Sequence, residues 1–262
     1  CHHVAASAFF NVLGQIPARF WLGLTATPER RDGLEDLIYH QLGSHHVEIE
    51  RPTAGQLPTD SAELSTPHPV LQLHPTQFRY LGDADPREPG GMADIYRTLV
   101  ADEQRLDQIV GDVLTAAGKG ANILVLTTWV DHLNAIAERL SAAGRSVTVL
   151  SGGMKAAERR RITEMLATRT PDAEPLLIVG TSSFIGEGFD CPALDTLFLA
   201  APITFKNRLV QYVGRVTRPY PGKTTATVHD YHDELTPVIA SSLKKRAPGY
   251  TTMGFPDPRT RS

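Results

Sequence analysis

Apolar positions recur along this chain in two rhythms, and their alternation predicts the fold. Short, nearly unbroken apolar runs at Asn122–Thr127, Val147–Leu150, Leu176–Gly180, Thr196–Ala200 and Thr225–Asp230 read as strands covered on both faces. Between them lie stretches of helical period at 94–117, 130–143, 155–168 and 206–214. Repeated β-α units of this kind predict an α/β fold, a parallel sheet with helices on both faces. Upstream, residues 4–14 read as a short helix ending at Gly14, Phe20–Thr25 as a buried strand, and Gly33–Leu42 as a helix closed by Gly43. Residues 52–69 carry Pro52, Pro58, Pro67 and Pro69 among serines and threonines, which is linker chemistry, and Gly82–Gly91 form a second polar loop. The pattern divides the chain into 1–66, too short to bury a full core alone, a complete domain at 67–247, and a loop-like tail at 248–262.

Composition narrows the class. The chain is 41% hydrophobic and 21% charged, an ordinary balance for a globular protein. No apolar stretch reaches the about 18–20 residues that span a bilayer, so a cytoplasmic protein without membrane contact is expected. Cys1 and Cys191 lie far apart and give no disulfide framework. Cys1, His2, His3, His45 and His46 lack the paired spacing of structural zinc, so no metal site is expected among them. The net charge is −3, so binding to nucleic acid cannot rest on bulk charge and must use local groups. The clusters Arg159-Arg160-Arg161 and Lys244-Lys245-Arg246 read as solvated faces.

The most informative residues are Gln211 to Arg218, spaced Q-x-x-G-R-x-x-R. Arg215 and Arg218 stand three apart and would share one face of a helix. Two permanently charged forks there suit a triphosphate whose charge grows during phosphoryl transfer. The alternative is a solvated helix face. Upstream, Leu176 to Thr181 leads into a turn with Gly186, Gly188 and Asp190, and Leu22 to Pro28 ends in Thr25 and Thr27. After a strand, Asp190 is expected in a loop at the carboxyl end of the sheet, where open α/β sheets take ligands; the alternative is a helix cap.

In order, these segments resemble motifs III, V and VI of a superfamily 2 helicase, and Cys1-His2-His3 resembles the tail of its motif II. The resemblance implies two RecA-like motor domains, with 1–66 the end of the first and 67–247 the second. It implies that Arg215 and Arg218 reach the γ-phosphate of ATP, that Gln211 couples to His2, and that Asp190 accepts from the ribose while Gly186 and Gly188 let the backbone approach. It also implies that Thr25 and Thr27 link nucleotide state to strand grip. Thr181, Ser151, Gly152 and Gly153 would hold the phosphates of nucleic acid, most naturally DNA; Thr128 and Trp129 close motif IV, with Trp129 either stacking on a base or packing in the core. The segment Pro28 to Gly33 resembles the DNA-repair and type III restriction branch, with Arg31 where that branch has Glu.

No G-x-x-x-x-G-K-[ST] loop occurs in the sequence. The resemblance therefore places the phosphate cradle and the Mg²⁺ ligands upstream of Cys1, and the chain is expected to be an inactive fragment of an ATP-dependent helicase or translocase. The alternatives are the helicase subunit of a type III restriction system and a nucleic-acid-binding module that has lost hydrolysis.

Overall fold

The computed structural model describes residues 11–12, 15–24, 36–47, 65–185, 189–203 and 206–260. The chain forms two compact units, Cys1–Leu57 and Pro58–Ser262. In the first, helix α1 spans Asp36–Leu42. Gly43 closes it at φ +99°, donating its N–H to the Tyr39 carbonyl at 2.8 Å, a left-handed position that glycine adopts without strain. Residues 20–24 are not a strand: Phe20 and Leu22 are each 83% exposed. An apolar run becomes a buried strand only with a partner to pair with, and no strand of this unit is present among the described residues.

The second unit is built on one sheet. Its strands are β1 (His68–Pro75), β2 (Ile123–Thr127), β3 (Thr148–Leu150), β4 (Leu177–Thr181), β5 (Thr196–Leu199) and β6 (Thr225–His232), in the order β1-β6-β5-β2-β4-β3. Every pairing is parallel. The helices are α2 (Gly91–Val100), α3 (Glu103–Gly118), α4 (Val130–Ala142), α5 (Ala156–Ala167), the single turn α6 (Ser182–Ile185), α7 (Lys206–Val216) and α8 (Pro237–Thr252). The alternation along β2 shows why its apolar run is unbroken. Leu124 and Leu126 enter the core beneath α5, α7 and α8, while Ile123 and Val125 enter the core beneath α3 and α4.

Four sequence expectations are corrected. First, an unexpected strand, β1, begins at His68 within the end of the expected linker and runs on to Pro75. The N–H groups of His68 and of Thr76, just past the strand, donate to the Thr224 and His232 carbonyls, so the N–H groups of odd positions point away from β6, and Pro69 and Pro75 put their missing N–H groups on the open edge where no ladder bond is lost. Second, the long helix at 94–117 is two helices: Asp102 takes an extended backbone and accepts the Arg105 N–H at 2.7 Å, starting α3 afresh. Gly91 opens α2 because a Cβ there would sit 1.8 Å from the Asp85 carbonyl oxygen. Third, the tail is not loose: α8 runs through Pro248 to Thr252, and Tyr250, Met253 and Phe255 are core residues. Fourth, Arg246 is not on a solvated face. It is 1% exposed and forks onto Asp230 of β6, because the helix face it occupies lies on the sheet.

A second buried fork closes one end of the sheet. Arg105 donates to Asp233 at 2.7 Å and to the Ala200 carbonyl at 2.8 Å, and Thr76 donates to the same carboxylate at 2.7 Å. These residues follow β1, β5 and β6, so the carboxyl ends of those strands are plugged. The carboxyl edge left to its loops is that of β2, β4 and β3.

Candidate functional site

The two arginines converge, but not as one helix face. α7 ends at Val216, so Arg215 occupies its last turn and Arg218 lies beyond it. They meet the same short segment. Arg215 Nη1 donates to the Phe189 carbonyl at 2.5 Å, and Arg218 forms an ion pair with Asp190. Burial pulls the Arg215 guanidinium below its usual range, and the like charge of Arg218 adds to this while Asp190 opposes it. Gln211 and Gly214 stand half-buried on the same helix.

The position of this cluster corrects a further expectation. α7 runs back from the carboxyl end of β5 to the amino end of β6, so its last turn lies toward the amino side of the sheet. Lys223, two residues before β6, donates to Pro192 O at 3.1 Å, Leu194 O at 2.5 Å and Arg218 O at 2.8 Å. Asp190 therefore sits on the limb that returns toward the amino ends, not on the carboxyl edge. A connection between two parallel strands must travel back along the sheet before the next strand can start. Beside Asp190, burial raises the Cys191 thiol pKa.

The hydroxyl residues gather at the opposite edge. β2, β4 and β3 are neighbours, with Thr127 level with Thr181 and Leu150 level with Gly180. Three strand exits thus open side by side: Thr128 and Trp129, Thr181 to Ser183, and Ser151 to Gly153. Thr181 is buried and shares a hydrogen bond of 3.1 Å with the exposed Ser183. Ser151 to Met154 form a turn closed by a 3.2 Å backbone bond, with Gly152 and Gly153 exposed. A Cβ at Gly152 would lie 3.3 Å from Ser183 Oγ, so the glycine keeps that hydroxyl approachable. Thr128 is exposed; Trp129 is half-buried with its ring 5.2 Å from Tyr96. Behind this edge, Thr127 and His132 share a 2.9 Å bond, and burial, aided by the charge of Arg105, lowers the His132 pKa to about 3.

Ser183, His132 and Lys223 were not singled out by sequence. Ser183 follows Thr181 in a run of hydroxyls that could have flagged it, whereas a lone lysine or histidine carries no such signal. His2, Thr25, Thr27, Gly186 and Gly188 lie outside the described residues. Among the described residues, no group of three His, Cys, Asp or Glu side chains could hold a metal, and no helix is long and apolar enough to cross a membrane.

Residues 104–220 match the helicase conserved C-terminal domain. The chain is 23% identical over 234 residues to Probable helicase D10 of Escherichia phage T5, covering 87% of this chain and 46% of that protein. It is 30% identical over 135 residues to Transcript termination protein A18 of cowpox virus, covering 50% of this chain and 26% of that protein. In structure it resembles UvsW of T4, with a TM-score of 0.56 and 20% identity over 72% of this chain and 40% of that one. The chain spans about half the length, or less, of these relatives. The sheet and its helices are a RecA-like fold. The domain match and the helicase relatives support helicase superfamily 2.

Proposed function

We propose that this chain supplies the second motor domain of an ATP-dependent DNA helicase or translocase of superfamily 2, in the branch that includes DNA-repair enzymes. The observation that carries the reading is the convergence of Arg215 and Arg218 on Phe189 and Asp190, at a place apart from the hydroxyl-lined carboxyl edge. One site presents two cationic forks, the other presents small neutral donors. A triphosphate docked against the first would draw both guanidinium groups from their present partners, with each fork facing oxygens that gain charge as the γ-phosphoryl leaves. Asp190, released from Arg218, would then be open to a ribose hydroxyl.

At the other edge, Ser183, Thr128 and the amides of Gly152 and Gly153 suit a phosphate backbone, with Thr181 orienting Ser183 from beneath. Neutral donors give a sequence-independent grip. A bistable cleft against another domain would couple the two sites, so that nucleotide state sets strand position. Mg²⁺ would neutralise phosphate charge, and the described residues form no ligand set for it.

The test is ATP hydrolysis by the whole protein with single-stranded DNA, double-stranded DNA and RNA. Stimulation by DNA is expected. Hydrolysis that ignores every nucleic acid, or none at all, would overturn the reading.

A further inference from the structure

Three cations in sequence order stitch two segments together: Arg215 to the Phe189 carbonyl, Arg218 to the Asp190 carboxylate, and Lys223 to the Pro192 and Leu194 carbonyls. The third differs in kind. Lys223 is 7% exposed, and its three donors meet three main-chain carbonyls, one of them that of Arg218 itself. The first two links must break if the arginines turn to a phosphate. The links through Lys223 need not.

We propose that Lys223 is a positioning residue for the arginine site: its buried ammonium holds the loop carrying Arg218 in register with the segment carrying Asp190 while the arginines change partner. The proposal rests on the motor reading for its consequence in turnover, but the register itself is a property of this chain. A main-chain clamp suits this task because it does not compete for phosphate. Burial lowers the Lys223 pKa to about 8; Asp195, before β5, and Cys191 oppose this, and Arg218 adds to it. A neutral amine keeps two donors and turns a lone pair toward the third carbonyl, so the clamp should loosen as pH rises through that value.

The experiment uses the whole protein and Lys223→Met, which keeps the stem and removes the ammonium. DNA-stimulated ATP turnover is measured from about pH 7 to about pH 9.5, the range that brackets the lysine. In parallel, the Arg218 Nε–H signal, assigned with Arg218→Lys, is followed by ¹⁵N NMR without nucleotide. In the unaltered protein, kcat should fall as pH passes about 8, and the Arg218 signal should move over the same interval. In Lys223→Met, kcat at neutral pH should be lower by at least about ten-fold, as small misplacements of catalytic groups cost. KM should stay within about two-fold, and the alkaline limb should be gone. Unchanged kcat in the variant, or an alkaline limb that persists in it, overturns the proposal. If the variant does not fold, the titration of the unaltered protein decides: an Arg218 signal that stays fixed across the range refutes the clamp. If ATP is not hydrolysed at all yet the signal follows pH, the clamp stands and the motor reading falls.

Discussion

Replacing Asp230 by Asn tests the packing of α8 on the sheet. The Asp230 carboxylate accepts from Arg246 Nε at 2.7 Å, Arg246 Nη2 at 3.0 Å and the Tyr250 hydroxyl at 2.7 Å. Arg246 and Asp230 are 1% and 2% exposed, so little water screens the pair. Burial pulls the Arg246 pKa down, but the charge of Asp230 and its hydrogen bonds outweigh this, and the net shift is upward. Asn keeps the shape and one acceptor, and leaves the guanidinium buried without its paired carboxylate. Breaking one side of such a pair costs about 3–5 kcal/mol. At about 2–4 °C per kcal/mol for a domain of this size, Tm should fall by roughly 6–20 °C. Urea unfolding followed by far-UV circular dichroism should show a lower midpoint at unchanged slope. The double variant Asp230→Leu with Arg246→Met removes both charges and should recover most of the loss. A single variant within about 1 kcal/mol of the parent, a typical value for an ordinary substitution, would refute the reasoning, as would a double variant no better than the single.

Other outcomes are expected. Arg215→Ala in the whole protein should lower kcat by about 10³ or more with little change in KM, and Arg215→Lys should not restore it, because a point charge cannot replace a bidentate fork; steady-state kinetics checks this. Thr181→Val should weaken DNA binding several-fold in fluorescence anisotropy, and the salt dependence of the parent should be shallow because few cations line that edge. His132 and His229 are both held near a pKa of about 3 by burial, from an ordinary 6.5. The unfolded chain binds more protons between those values, so stability should be full above about 6.5 and fall toward about 3, by at most about 1.4 kcal/mol per pH unit for each histidine. His132→Gln should flatten that slope in denaturant titrations at successive pH.

The interior strands were legible because a strand covered on both faces has no polar position to interrupt it, as in Ile123–Thr127. β1 was not, since an edge strand tolerates the prolines and histidines that elsewhere signal a loop. The last helix hid behind Pro248 and Gly249, which depress local propensity that Tyr250 and Ile239 overcome by burial. The paired arginines were legible as chemistry. Which side of the sheet they occupy was not, because that depends on where the chain doubles back after β4. Lys223 was invisible for a related reason: only the folded chain brings three carbonyls to one ammonium.

The edge position of β1 also bears on how the domain assembles. Thr76, just past β1, bonds to Asp233 across 157 residues of sequence. Closing a loop of that length costs roughly 4–5 kcal/mol of chain entropy beyond a constant. β2, β4 and β5 can associate while this cost is still unmet, so the order of events runs from the centre outward. The first strand made is the last to be seated. On the ribosome, the segment around His68 must wait until β6 has emerged, and a nascent chain halted before β6 would carry an unclaimed strand with a half-finished sheet.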